Sequence, residues 1–239
     1  MIKTQWPTFL CLLPVPLVMA AVAGAAAGSQ PDLLERALET HERFDQREWA
    51  YTITIVEDGK TTVARHDPKR PTADRWTLVS IDGLGPTPAE FEKFREDHTD
   101  ASDEESESSG EEVREMISAG STKLVEETAD YAVYSFEPTG ENEEDQEFNR
   151  HLDATLRIAK NRDAPYVESI EMRADKPVSA AIGVKIKEFL TVMTFGPVGA
   201  ERSVLPLTVD VRLKGRALLI KKLDQAVEVR YTDYQQPSP

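Results

Sequence analysis

The fold of this chain is decided between His151 and Tyr234, where segments such as residues 205–214 read LPLTVDVRLK. Apolar residues occupy every second position of that segment: Leu205, Leu207, Val209, Val211 and Leu213. Residues 151–160, HLDATLRIAK, repeat the pattern with Leu152, Ala154, Leu156 and Ile158. Alternation with a period of two indicates strands with one buried and one solvated side, which is the usual condition of antiparallel sheets. The predicted fold class is α+β, mainly antiparallel β, as a strongly curved sheet or an incomplete β-barrel with two or three covering helices.

About ten strands are expected in total. The C-terminal part predicts strands near residues 152–160, 165–174, 178–187, 188–195, 203–214, 216–222 and 226–234, with turns at Asn161–Asp163 and Lys214–Gly215. Earlier strands are predicted at 51–55 and 61–65 around the hairpin dipeptide Asp58-Gly59, and at 75–81, 123–127 and 131–137. Because no strand–helix–strand unit recurs, a parallel α/β sheet is not expected.

Two helices are predicted. Pro31–Phe44 has apolar residues at helical spacing, and Thr87 followed by Pro88 and Glu90 forms a capping box that starts a helix ending near residue 97 or 98. Phe91 and Phe94 share one side of this second helix, where they are interpreted either as a lid over a pocket or as ordinary packing onto the sheet.

The first 27 residues are predicted to be a signal peptide. Lys3 precedes an apolar stretch of about 14 residues and small residues that resemble an A-x-A cleavage site, and this stretch is too short for a comfortable membrane span. An uncleaved N-terminal anchor is the alternative. The only cysteine, Cys11, lies in this segment, so the remaining residues 28–239, expected as one domain, hold no disulfide. An exported, periplasmic protein without a stable membrane span after leader cleavage is expected.

The net charge of −15 is concentrated in one region. Residues 96–147 contain 19 acidic and two basic residues, whereas the remainder contains 26 basic and 24 acidic residues. Within this region, an acidic loop at about 99–112 is expected to be disordered, and a second acidic loop is expected at 140–147. A nucleic-acid partner is disfavoured because phosphate neutralisation requires a basic patch.

No motif for catalysis, for a metal or for a cofactor is recognisable. The four histidines His41, His66, His98 and His151 are isolated in sequence, and no nucleophile elbow or phosphate-binding glycine loop follows a strand. A non-enzymatic protein without cofactors is therefore expected. A periplasmic hydrolase whose residues converge from distant strands is kept as a third alternative.

The inward-facing apolar residues are the candidate ligand-binding residues. A ten-stranded sheet presents more apolar surface than two short helices can cover, so these residues are expected to line either a packed core or an apolar cavity. The candidates are Phe91, Phe94, Leu156, Ile158, Ile170, Met172, Ile182, Val184, Phe189, Met193, Leu207, Val209 and Val211.

The order of elements resembles the outer-membrane lipoprotein carrier (LolA/LolB-like) superfamily. The shared features are an exported leader, the helix at 33–44, a strand meander, the Pro88 helix and closing amphipathic strands that end in VEVRYTDY at 227–234. The resemblance implies an incomplete β-barrel that binds the acyl chain of a lipid or an acylated protein without catalysis. The alternative is an interaction module that binds an envelope protein partner through a sheet edge or the acidic loop.

Overall fold

The alternating segments form strands that pair with one another in one antiparallel sheet. The computed structural model describes residues 32–99, 113–140, 142–160, 164–174, 176–181, 184–217 and 221–236. The strands are β1 (Ala50–Glu57), β2 (Lys60–His66), β3 (Trp76–Ile81), β4 (Lys123–Glu127), β5 (Tyr131–Phe136), β6 (Asp153–Ala159), β7 (Tyr166–Ala174), β8 (Val178–Ala181), β9 (Val184–Val198), β10 (Ser203–Ala217) and β11 (Lys221–Gln235). The helices are α1 (Leu33–Glu42), α2 (Pro88–Thr99) and α3 (Glu143–Asn149).

Ten strands follow one another across the sheet in the order β3-β2-β1-β11-β10-β9-β7-β6-β5-β4, and β8 pairs with β9 beside this path. All of the pairings are antiparallel. The sheet is open, with β3 and β4 at its two edges. The prediction of a mainly antiparallel β-sheet with few helices is therefore confirmed.

Two local sequence signals are also confirmed. Asp58 and Gly59 join β1 to β2 with positive φ angles of 50° and 78°, as a tight hairpin turn between antiparallel strands requires. At the start of α2, the amide of Thr87 donates to Glu90 Oε2 at 2.8 Å, and the amide of Glu90 donates to Thr87 Oγ1 at 3.3 Å. These reciprocal bonds are the predicted capping box.

Several predicted boundaries are wrong. Residues 184–198 form the single strand β9, where separate strands at 178–187 and 188–195 were expected. Gly215 lies inside β10, so Lys214–Gly215 is not a turn and 216–222 is not a separate strand. The predicted acidic loop at 140–147 overlaps α3, whose first turn is capped by the Asn142 side chain: it accepts a hydrogen bond from the Asp145 amide at 2.9 Å.

The alternation predicted for residues 205–213 is interrupted. A bulge between Pro206 and Thr208 shifts the register of β10 against β9. As a result Leu205 is fully buried, whereas Leu207 is 36% exposed. A bulge adds one residue to one strand, so alternate residues before and after it point to opposite faces of the sheet.

Some predictions fall on residues that the structure does not describe: the signal peptide at 1–27, the acidic loop at 100–112, the turn at 161–163 and the candidate Ile182. Among the described residues, no helix combines the length and the apolar character that crossing a membrane requires.

Two apolar clusters form the core. The larger one joins α1 and Val113 to strands β5, β6 and β7 and to Phe195 and Val204. The smaller one contains Trp49, Tyr51 and Leu205, with partly buried aromatic neighbours. Phe44 packs against both clusters, so the segment after α1 connects the two halves of the core.

Candidate ligand-binding face

One row of directly opposed residues crosses all ten consecutive strands. The row runs from β3 to β4 through residues that are apolar apart from one threonine: Ile81, Thr62, Ile55, Val229, Val209, Met193, Ile170, Leu156, Tyr134 and Leu124. Residues directly opposite each other on neighbouring strands point to the same side of a sheet. We call the side on which this row lies the inner face of the sheet; along the row, Thr62 is the one residue that is not apolar or aromatic.

Helix α1 covers one part of the inner face: it contacts β7 and β10, and it shares the larger core cluster with β5, β6 and β7. There Leu156 and Ile170 are completely buried, as is Ile158 beside them. Ten strands separated by about 4.8 Å span about 43 Å, whereas ten helical residues extend over about 15 Å. Helices α2 and α3 pack elsewhere, against β3 and β8 respectively. No single helix of this length can therefore cover the whole row.

Buried His41 attaches α1 to the sheet. Its Nε2 donates a hydrogen bond to the carbonyl oxygen of Val167 at 3.0 Å, and its ring meets Phe195 edge-on at 4.8 Å. Burial lowers the pKa of His41 to about 4, and the bond to Val167 only partly offsets that effect. His41 is thus neutral near pH 7, with its proton on Nε2.

Arg114 holds the outer side of the same helix. Its guanidinium donates to both carboxylate oxygens of Glu35, at 2.8 and 3.1 Å, and to the carboxylate of Glu42. The hydrogen bond from Arg114 lowers the pKa of Glu35. Because these side chains are partly exposed, the ion pairs position α1 more than they stabilise it.

The other half of the inner face is only partly covered. Ile55, Val229, Val209 and Met193 are half-buried, and so are Val227 and Val211 in the next row. That second row reaches β1 at Glu57, whose carboxylate accepts a hydrogen bond from Gln225 Nε2 at 3.0 Å. We call this half of the inner face, on β9, β10, β11 and β1, the open face. The hydrogen-bonded pair Glu57–Gln225 lies at one border of its half-exposed aliphatic side chains.

An aromatic cluster borders the open face on its other side. Tyr51 lies 5.5 to 5.8 Å from Trp76, Tyr231 and Tyr234 between ring centroids, and 5.0 Å from the ring of His66. Burial raises the pKa of Tyr51 and of Tyr234, so both hydroxyls remain protonated.

Two hydrogen bonds to backbone carbonyls anchor this cluster. The Tyr234 hydroxyl donates to Pro206 O at 2.7 Å, and His66 Nδ1 donates to Trp49 O at 2.9 Å. Burial lowers the pKa of His66, which keeps its ring neutral. Sequence reasoning missed the cluster because Asp233, with a φ of 54°, breaks the alternation between Tyr231 and Tyr234.

The predicted candidate residues divide into several groups. Leu156, Ile158 and Ile170 belong to the packed core, and Met172 and Met193 are partly buried at its border. Val209 and Val211 lie on the open half of the inner face. These seven residues share one face, but the structure divides them between packed and open regions.

The remaining candidates lie farther from the centre. Phe189 meets Phe148 of α3 edge-on at 5.4 Å, and Val184 pairs with Ala217 at the end of the sheet. Leu207 is exposed beside Gly196. Phe91 and Phe94 are half-buried on α2, which packs beside edge strand β3 rather than across the central strands.

Two surface pockets lie away from the open face. One, of about 540 Å³, is lined mainly by residues 137–140 and 146–152, and the other, of about 180 Å³, lies beside Arg65, Lys69 and Gln235. Neither pocket contains a predicted candidate residue. In the described ranges, no group of three or more His, Cys, Asp or Glu side chains is placed to hold a metal ion.

Comparisons of the chain with protein-family models, with curated proteins and with solved structures find no match.

Proposed function

We propose that this chain is a non-enzymatic, exported protein of the periplasm that binds the acyl chain of a lipid or lipoprotein on the open half of its inner face. The observation that carries the proposal is the partial cover of the apolar row. The row is sealed by α1 at Leu156 and Ile170 and is half-exposed at Met193, Val209, Val229 and Ile55.

The dimensions of the open half favour an extended apolar ligand. From Met193 to Ile55 the row crosses three strand intervals, or about 14 Å at about 4.8 Å each. An acyl chain lying along it would remove these side chains from water, and each buried methylene contributes about 0.8 kcal/mol. We propose that the sheet curls around the ligand as an incomplete barrel, as the lipoprotein-carrier resemblance implies. The Glu57–Gln225 pair at the border could receive a polar head group.

Titration with a fluorescent fatty-acid probe tests the proposal. The purified protein should bind the probe at a stoichiometry of one. Val209→Asn places an amide on the inner face, where it loses hydrogen bonds on ligand binding at a cost of about 1–3 kcal/mol, so the affinity should fall about tenfold or more.

Val192→Asn is the matched control. Val192 is half-buried on the neighbouring strand but faces the opposite side, between Asp210 and Glu171. This variant should bind the probe like the wild type. If the wild-type protein does not bind the probe, or if the two variants lose affinity equally, the proposal is refuted.

A second candidate function is an interaction module that acts through a sheet edge. All five residues of edge strand β4 are exposed, with Leu124 at 51% and Val125 at 63%. An exposed edge can accept a strand from a partner protein through main-chain hydrogen bonds. Val125→Pro would remove a backbone donor there. If it abolishes co-purification of an envelope protein while probe binding persists, this second function is supported.

A further inference from the structure

Three cations lie directly opposite one another at one end of the outer face. Lys185 of β9 pairs with Arg216 of β10, and Arg216 pairs with Lys222 of β11. All three side chains are exposed. Like charges in direct cross-strand pairs destabilise a sheet, so this arrangement has no benefit for folding by itself.

The neighbouring row shows that the same strands balance charge elsewhere. Lys214 lies between Glu188 and Asp224, and its Nζ is 2.9 Å from Glu188 Oε2. In the cation row, Lys222 has an acidic neighbour, Asp224, at 2.6 Å. Lys185 and Arg216 make no ion pair within the part of the chain that the structure describes.

This basic end contrasts with the acidic character of the whole chain. Residues 184–188, 212–217 and 221–224 contain seven basic and two acidic residues, whereas the chain carries a net charge of −15. An external anion would relieve the repulsion in the cation row. Because neighbouring strands are about 4.8 Å apart, the three positions of the row span about 10 Å, which suits a surface that carries several anionic groups.

We propose that the cation row Lys185–Arg216–Lys222, on the outer face at the end of β9, β10 and β11, docks the protein on a membrane surface of anionic phospholipid head groups. The inference rests on the proposed function, because an acyl-binding protein takes or delivers its ligand at a membrane. The open apolar row lies on the opposite face of the same strands, seven residues from Arg216 along β10 at Val209, so docking through the cation row leaves the apolar row uncovered for a ligand.

Flotation with lipid vesicles tests the docking. Wild-type protein should float with vesicles that contain phosphatidylglycerol, should not float with pure phosphatidylcholine, and should detach when the salt concentration is raised. Each cation near an anionic membrane contributes roughly fivefold to binding, so Lys185→Gln combined with Arg216→Gln should weaken it about thirtyfold. Lys69→Gln combined with Arg70→Gln removes the same charge from an exposed loop and should leave binding within about twofold.

The fatty-acid probe separates this proposal from the proposed function. The Lys185/Arg216 variant should bind the probe like the wild type, which also shows that it is folded. Docking is refuted if anionic and neutral vesicles bind equally, or if both double variants lose binding equally. It is also refuted if soluble polyglutamate binds as tightly as vesicles, since the row would then recognise an acidic protein. If the wild type floats with anionic vesicles but does not bind the probe, the acyl-binding proposal fails and the docking surface stands.

Discussion

Acidification should destabilise this fold through His41, the buried residue that attaches α1 to β7. Its pKa is about 4 in the folded protein and about 6.5 in an exposed side chain. Between these values the unfolded chain takes up a proton that the folded state excludes. The stabilisation is therefore complete above pH 6.5 and is lost progressively as the pH falls toward 4.

The size of the effect follows from the two pKa values. At pH 5 an unfolded chain has almost fully protonated this histidine, whereas the folded protein has protonated it only slightly. The difference corresponds to about 2 kcal/mol of unfolding free energy relative to pH 7.5. Such a loss is a large fraction of the 5–15 kcal/mol that is typical of a folded domain.

Urea unfolding at pH 7.5 and pH 5, followed by tryptophan fluorescence, measures this term in the wild type and in His41→Gln. Glutamine can donate a hydrogen bond to Val167 O but does not titrate. The variant should be about 1–2 kcal/mol less stable at pH 7.5, because it loses the ring contact with Phe195. On acidification the wild type should lose about 2 kcal/mol more than the variant.

The comparison removes contributions from other groups, including buried His66, because they are common to both proteins. His151→Gln changes a histidine whose side chain is 52% exposed and should follow the wild type at both pH values. If the wild type and His41→Gln lose the same stability between pH 7.5 and 5, burial does not hold His41 neutral and the reasoning is wrong.

Two further pairs of substitutions, each a test and its control, probe the packing of the sheet. Leu156→Ala should lower the unfolding free energy by about 3 kcal/mol, because the Leu156 side chain is fully buried. Leu124→Ala, at the exposed edge of the sheet, should lower it by less than about 1 kcal/mol. Equal losses in the two variants would contradict the assignment of Leu156 to the core. Gly215→Ala would place a Cβ 2.5 Å from the backbone oxygen of Lys185, so thermal unfolding should show a loss of about 1–3 kcal/mol in stability. The Cβ of Gly85→Ala would have no atom within 4 Å, so the stability of this variant should stay within about 0.5 kcal/mol of the wild type. A Gly215→Ala variant as stable as the wild type would exclude the close approach.

The sequence predicts strands well where alternation is regular and the turn chemistry is local. Residues 153–159 form β6 with Ala154, Leu156 and Ile158 all buried, as their spacing indicates. Asp58-Gly59 determines a hairpin because its positive φ angles are intrinsic to those two residues. Each of these features depends on a few neighbouring residues, so that information is present in the sequence.

Features that depend on distant strands could not be predicted in the same way. Leu207 has the spacing of an inward residue, but a bulge that is defined only by the pairing of β10 with β9 exposes it. The aromatic cluster joins Tyr51 to Tyr234 across 183 positions of the sequence. An acidic loop was expected at 140–147, whereas Glu143–Asn149 form a helix, because Glu and Gln favour helices and Asn142 provides the cap.

The bulge opposite Gly215 determines which side chains of β9 and β10 lie on each face of the sheet. A turn at Lys214–Gly215 would end β10 before Arg216, whereas the structure has a bulge there that leaves Lys187 outside the regular pairing. If Lys187 were not outside the pairing, Arg216 would pair with Ile186, and the Ile186 side chain would then lie on the solvated side of the sheet. With Lys187 outside the pairing, Ile186 pairs with Gly215 and is buried, and Lys185 pairs with Arg216. Because Gly215 has no Cβ to meet Lys185 O, the close approach at this bulge is tolerated. The apolar inner face and the cation row therefore depend on the same irregularity.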